Sequence, residues 1–215
     1  MRWLMSDRFS DPAWVVLDGG ANQGLYTLLA ASVVGPAGRV LAVEPSSREL
    51  GRLATAIRIN KLANVTVVPV ALSDAAGEGD LLVAESEHGG HNAFGKLRYA
   101  EVRVVDTVRV RMRTIDEISD ECKLERLDFV KLDLEGYEAK ALRGAGQTLE
   151  RFRPTLLIEW PTGEGGPEVE QDCQELLDLL EQFRYVALAI DPGTGLPSER
   201  QMAIGPSENV IAVPE

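Results

Sequence analysis

Five short apolar runs punctuate the chain: WVVLDG (14–19), RVLAVEP (39–45), VTVVPVAL (65–72), LDFVKLD (127–133) and TLLIEW (155–160). Each is rich in strand-favouring residues and stops at a polar or turn residue, the pattern of strands buried on both faces of a parallel sheet. Between them, Gln23 to Val34, Ser47 to Lys61 and Glu138 to Arg151 carry apolar residues at i, i+3 and i+4, which predicts amphipathic helices. Alternation of this kind describes an α/β sandwich with right-handed crossovers. In such sheets ligands sit at the carboxyl ends of the strands, where the strand order reverses.

Two regions break the alternation. From about Gly79 to Ile118 the chain runs through DLLVAES, a loop EHGGHNAFGK and then AEVRVVDTVRVRMRTIDEI, whose apolar and polar residues alternate as in a half-exposed antiparallel strand or hairpin. This reads as a β insertion between the third and fourth parallel strands. Near the end, a helix over about Glu168 to Phe183 leads into YVALAID, a turn-rich PGTGLPSE and ENVIAVPE, which predicts a terminal antiparallel pair. No repeat or linker divides residues 1–215, so one domain is expected.

Composition narrows the partners. The 215 residues carry a formal net charge of -12, and the 22 Lys and Arg residues form no dense basic run, so phosphate backbones and anionic membranes are disfavoured. The first residues lack the apolar core of a signal peptide, and no run is long enough to span a bilayer, which predicts a cytoplasmic protein with no membrane partner. Cys122 and Cys173 lack metal-ligand or CxxC spacing and read as reduced, structural thiols.

The stretch VVLDGGANQGLYTLLA places Asp18 ahead of Gly19, Gly20, Asn22 and Gly24 at a strand-to-helix turn. Glycines there let a backbone approach a ligand while the helix offers its N-terminus. The spacing is not the G-x-G-x-x-G of a dinucleotide fingerprint, and no Lys-Ser or Lys-Thr follows to make a phosphate loop. An acid ahead of the glycines suits a ligand with cationic groups, as the ammonium and sulfonium of S-adenosylmethionine are, rather than a pyrophosphate. Glu44 at the end of the second strand can accept both hydroxyls of a ribose, with Pro45 and Ser46 beginning an adenine wall. Ala71, Leu72, Ser73 and Asp74 end the third run where the other adenine edge is expected.

The series VVLDGGANQGLYTLLA, VLAVEPS, VVPVALSDAAG, VRVRMRTIDEI, LDFVKLDLEGYEAKALRGA and RPTLLIEW resembles the FkbM family of S-adenosylmethionine-dependent methyltransferases from about Val15 to Trp160. Its most specific part is VKLDLEGYEAKALRGA, similar to the family signature K-x-D-x-E-G-x-E-x-x-x-L-x-G-A. The resemblance implies a class I methyltransferase (Rossmann-like) fold, with a mostly parallel seven-stranded sheet whose last strand is antiparallel, and usually O-methylation. It maps Asp18, Gly20, Gly24 and Glu44 onto cofactor positions. The short stretch ahead of Val15 predicts no N-terminal helical cap over the substrate.

At the fourth strand end KLDLEGYE sets Asp133, Glu135 and Glu138 close together, and strand periodicity points Asp133 and Glu135 the same way. Asp133 is expected to touch donor or acceptor, whereas Glu138, and to a lesser degree Glu135, also fit the acid-rich first turn of the following helix. The only two histidines, His88 and His91, lie in the insertion loop, and His91 beside Asn92 is the first candidate for a general base. Glu159 and Trp160 end the fifth run, as a substrate-side acid and a rim or core aromatic. His88, His91, Asp133, Glu135 and Glu159 are of types that hold Mg or Mn, but without a tight ligand motif no metal is expected.

The sequence thus predicts methyl transfer to a hydroxyl of a small molecule such as a sugar or secondary metabolite. His91 would act as base with Asp133 second, and Glu135 would orient the substrate or a base. The expected cofactor contacts are Asp18, Gly20, Asn22, Gly24, Glu44, Pro45, Ser46, Ala71, Leu72 and Asp133. A homo-oligomer is compatible with these residues. Methylation of nitrogen or carboxylate, and a donor-binding module without catalysis, are the alternatives; an NAD-dependent oxidoreductase is disfavoured by the glycine spacing.

Overall fold

Val15–Gly19 forms β1, and the apolar run that predicted it is buried from its second residue onward. The computed structural model describes residues 13–85, 91–95, 102–161, 167–191, 193–194, 197–201 and 209–215. β1 pairs in parallel with β2 (Arg39–Val43) on one side and β8 (Phe129–Leu132) on the other, so it is an interior strand of the sheet. Beyond β2 lies β3 (Val65–Val68); beyond β8 lies β9 (Thr155–Glu159), both parallel.

Side-chain alternation divides the core between the two faces of this sheet. Leu17, Leu41, Val130 and Leu156 face one side and pack with Leu142 and Leu149. Those two come from α4 (Glu138–Arg143) and α5 (Gly146–Phe152), and Leu176 and Leu180 of α6 (Pro167–Gln182) join the same cluster. Val16, Val40, Phe129 and Leu157 face the other side, against Ala31 and Val34 of α1 (Leu25–Val34). Helix α2 (Ser47–Ile59) contributes Leu53 to a small cluster with Ala21 and Ala42.

The terminal strands β10 (Tyr185–Ile190) and β12 (Asn209–Pro214) are antiparallel to one another, as expected, and β12 inserts between β9 and β10. The seven strands so arranged have the expected antiparallel last strand. An eighth, β11 (Pro197–Gln201), extends the edge beyond β10, giving the order β11-β10-β12-β9-β8-β1-β2-β3. The turn-rich composition of PGTGLPSE concealed this short edge strand.

The run VTVVPVAL is not one strand. Pro69 cannot donate to the ladder, and the chain leaves the main sheet at Val68; β4 (Ala71–Leu72) then pairs with β7 (Val104–Arg113) in a second sheet of order β4-β7-β5-β6. That sheet is the expected insertion, with β5 (Gly77–Ala84) antiparallel to β7 and to β6 (Ala93–Phe94). The alternating pattern stops short of Ile118. Thr114 Oγ1 accepts the Glu117 N–H at 3.0 Å while Glu117 Oε2 accepts the Thr114 N–H at 3.0 Å. This capping box starts helix α3 (Ile115–Glu121) where strand was expected.

The helix expected over Glu138–Arg151 is split at Gly144, where a Cβ would stand 2.3 Å from the Ser73 carbonyl oxygen. No helix among the described residues is long and apolar enough to cross a membrane. Cys122 and Cys173 are free thiols, and Cys173 is buried.

Two glycine substitutions should move stability in opposite directions. Gly51 lies inside α2 with open space around its missing Cβ, so Gly51→Ala is expected to raise stability by roughly 0.5–1 kcal/mol. Gly144→Ala must displace backbone and is expected to cost at least the ~1–3 kcal/mol of an overpacked core. Denaturant unfolding of both variants measures the two signs.

Candidate functional site

The carboxyl ends of β1, β2 and β8 open into a cavity of about 500 Å³. Its floor begins with the turn after β1. Gly20 adopts φ 72° and its N–H donates to the Val43 carbonyl at 3.0 Å; a Cβ there would stand 2.0 Å from the Asp133 carbonyl oxygen. Gly24, at φ 98°, starts α1 and leaves no room for a Cβ against Leu28 and Leu53. Only glycine meets both demands, a left-handed backbone and a close approach.

Glu44 follows β2 and lines the cavity although it is only 5% exposed. Its Oε2 accepts the Asn22 N–H at 2.8 Å and its Oε1 accepts the Ser46 N–H at 2.8 Å. Burial pushes its pKa from 4.5 up to about 7, against the opposing pull of those two N–H groups. Each oxygen keeps acceptor capacity for a further donor. The pair therefore suits a vicinal diol such as that of a ribose.

Pro45, Val43, Val70, Ala71 and Leu72 supply an apolar wall beside Glu44. Although the β3 run is broken, Ala71 and Leu72 still reach the cavity, carried there by β4 of the second sheet. Leu81 of β5, Phe94 of β6 and Tyr137 before α4 also line the cavity. Phe94 and Tyr137 pack ring against ring with centroids 4.7 Å apart, and Lys140 Nζ lies 4.2 Å from the Tyr137 ring centroid.

Of the residues the sequence singled out, Gly20, Asn22, Glu44, Pro45, Ala71, Leu72, Asp133, Glu135 and Glu159 line the cavity. Asp18, Gly24, Ser46 and His91 do not. Asp18 is wholly buried beneath the turn, where its Oδ2 accepts from Thr27 Oγ1 at 2.6 Å. The geometry gives it support of the turn in place of a face towards the ligand. Ser46 is likewise buried and lends its N–H to Glu44. Ser73 is buried, and its hydroxyl donates to Asp74 at 3.2 Å; Trp160 is a core residue.

β8 ends at Leu132, so Asp133 and Glu135 stand on a turn and not on a strand. Glu135 and Gly136 both have positive φ, 52° and 103°. The buried Glu138 carboxylate closes this turn by accepting the N–H groups of Leu134 and Gly136 at 2.6 and 3.1 Å. Convergence survives by this different route: ligand atoms of Asp133, Glu135 and Glu159 lie within 4.8 Å of one another. Among the described residues this is the one trio of acids, histidines or cysteines close enough to share a metal ion.

The insertion brings His91 to the same place. Its Nδ1 lies 3.1 Å from Glu135 Oε1, and its side chain is 33% exposed. Asn92 Oδ1 accepts the Ala84 N–H at 2.9 Å and a weaker contact from Arg48, which pins this loop segment to the end of β5. His88 lies outside the described residues.

Sequence reasoning missed Lys131, Tyr26, Leu81, Phe94 and Tyr137. Lys131 had a signal, being a lone charge inside an apolar central run. It is nearly buried, donates to the Gly20 carbonyl at 3.0 Å and lies 3.4 Å from Asp18 Oδ1 and 3.3 Å from Asp133 Oδ2. Burial opposes its charge, but the two carboxylates overcome this and hold its pKa above the ordinary lysine value. Tyr26 lies with its ring centroid 4.8 Å from Lys131 Nζ; burial raises its phenol pKa.

Comparison with known proteins agrees with this geometry. Residues 18–187 match the model of the methyltransferase FkbM domain. The chain is 30% identical to the AMB antimetabolite synthetase AmbE of Pseudomonas aeruginosa, over 81% of this chain but only 10% of that much longer one. It is 26% identical to the 2-O-methyltransferase NoeI of Sinorhizobium fredii, over 82% of this chain and 74% of that one. Among solved structures, a methyltransferase FkbM from Methylobacillus flagellatus superposes with a TM-score of 0.57 at 18% identity, over 94% of this chain and 44% of that one. An O-methyltransferase from Bacillus cereus in complex with SAH gives 0.56 at 15% identity, over 95% and 76%. S-adenosylmethionine is the cofactor, and the buried Glu44 carboxylate and its apolar wall have the chemistry its adenosine requires.

Ribose hydroxyls donate, so a ribose held at Glu44 would be bound by its ionised form. Its folded-state pKa lies above the unfolded one, so its contribution to stability without ligand is full below about pH 4.5 and lost as pH rises through about 7. Donor affinity must move the other way, rising between about pH 6 and pH 8 as the carboxylate ionises. Titration calorimetry should show that rise in the wild type and a weaker, flat profile in Glu44→Gln.

Proposed function

Since the chain belongs to the FkbM methyltransferase family, we propose that it transfers a methyl group from S-adenosylmethionine to a hydroxyl oxygen of a small molecule. The observation that carries this reading is the His91–Glu135 contact at 3.1 Å, which joins a proton acceptor from the insertion to the acid-lined end of the cavity. S-adenosylmethionine supplies an electrophilic methyl group, so the protein's work is to align the acceptor and to remove one proton.

Glu44, Asn22 and the apolar wall of Pro45, Ala71 and Leu72 hold the adenosine end. Asp133 stands beside the glycine turn at the other end, where a carboxylate favours a cationic donor. With its Nδ1–H donating to Glu135, the His91 ring is fixed in the tautomer that leaves Nε2 as the acceptor. The acceptor hydroxyl gives its proton to Nε2 as the new C–O bond forms. Glu135 stabilises the resulting imidazolium at contact distance.

A small acceptor is favoured over nucleic acid by the net charge of -12 and by three carboxylates at the cavity end, which repel phosphates. Phe94 and Tyr137 offer an apolar face for the carbon skeleton. The naming of the relative NoeI as a 2-O-methyltransferase supports hydroxyl as the target, and the naming of AmbE as an antimetabolite synthetase is in keeping with small-molecule chemistry.

His91→Ala should bind S-adenosylmethionine as the wild type does and lose about 10²- to 10⁴-fold in turnover, the usual worth of a general base. Unchanged turnover in the folded variant removes His91 from the reaction. A panel of hydroxyl, amine and carboxylate acceptors, with RNA alongside, read by transfer of labelled methyl, tests the substrate class; label appearing only on amines or RNA overturns it.

A further inference from the structure

Lys131 has no part in the transfer described above, yet among the described residues lining the cavity it is the one that carries a positive charge. Three groups converge on its Nζ: the Gly20 carbonyl at 3.0 Å, Asp133 Oδ2 at 3.3 Å and Asp18 Oδ1 at 3.4 Å. The two carboxylates differ. The Asp18 side chain is 1% exposed and, among the described residues, has Thr27 as its hydrogen-bonding partner, whereas that of Asp133 is 37% exposed and faces the cavity. One cation shared between two acids leaves this triad with a single negative charge.

We infer that Lys131 is a positioning residue that sets the charge of the donor end of the cavity, and through it the preference for S-adenosylmethionine over S-adenosylhomocysteine. Donor and product differ there by one charge, because the sulfonium of the donor becomes a neutral thioether when the methyl group leaves. Their affinity ratio therefore reads the local potential. With the triad at one net negative charge the donor is favoured, but by less than an uncompensated pair of acids would favour it. Lys131 also ties the glycine turn to the end of β8 through Gly20, so the same side chain fixes where those charges stand.

This inference rests on the donor occupying the cavity as proposed, which the Glu44 variant tests separately: loss of that reading appears as donor affinity indifferent to Glu44. Here the measurement is the ratio of affinities for S-adenosylmethionine and S-adenosylhomocysteine, each by titration calorimetry at fixed pH and salt. Lys131→Met makes the triad more negative and should raise the ratio on the order of threefold to tenfold, the effect of a unit charge some ångströms away in a partly screened site. Lys131→Met/Asp133→Asn restores the wild-type charge and should return the ratio to near the wild-type value, and Lys131→Arg should leave it there. A folded Lys131→Met with an unchanged ratio overturns the inference.

Removing Lys131 alone orphans the buried Asp18 and risks unfolding. In that event Asp18→Asn is compared with Lys131→Met/Asp18→Asn, which lacks the orphaned acid. The double variant is one charge more negative than the single and should show a ratio several-fold higher; equal ratios overturn the inference. A purely structural Lys131 would weaken both ligands together and leave every ratio alone.

Discussion

A cation buried at the centre of a sheet must find acids within reach, and the partners of Lys131 decide how the ends of β1 and β8 are joined. Its contact with the Gly20 carbonyl, and the Asp133 N–H donating to the Gly19 carbonyl at 3.3 Å, draw the turn after β1 across the end of β8. That closeness is why position 20 has no room for a side chain. Asp18 in turn fastens α1 through Thr27. The apolar core could be satisfied by many packings, but this polar knot has one geometry, and the cavity floor is built on it.

From this floor the walls follow by topology. Pro69 ends β3, and the chain passes to a second sheet whose strands stand over the cavity. That transfer brings Leu81 and Phe94 to the cavity that Glu44 lines and delivers His91 to Glu135. The cavity is therefore lined partly by residues at the ends of the main sheet, which few substitutions can alter without disturbing the core, and partly by the second sheet, where loop changes cost little stability.

What could be read in the sequence divides along the same line. Parallel strands announce themselves as apolar runs, and all five were legible, although the third breaks at Pro69 and its strand β3, at the sheet edge, is only partly buried; Glu44 at the end of the second was legible too. Two boundaries carried local signals that the apolar patterning outweighed: Pro69 inside the third run, and Thr114 with Glu117 three residues on, which turned expected strand into α3. The split at Gly144 had no such signal, because it follows from contact with Ser73, distant in sequence. Phe94 and Tyr137 were hidden for the same reason. The acid ahead of the glycines pointed to a cationic ligand, but sequence cannot tell a side chain facing the ligand from one facing a buried lysine. Asp18 does the second, and Asp133, on the same lysine, faces the cavity.

Methylation of a hydroxyl releases one proton per turnover, and in the proposed reaction that proton has to leave before the next acceptor binds. His91 is suited to both steps, since a third of its side chain is exposed while Glu135, at 11%, is sheltered. A ring exposed to that extent can pass the proton on to water. A tighter pairing with Glu135 would slow that release. A partly exposed pair at 3.1 Å is a compromise, because screening by water keeps the attraction modest. A fully buried pair would hold the proton too well. The position of His91 two residues before β6, and not in the core of the sheet, is therefore what the proposed base, resetting on every cycle, requires.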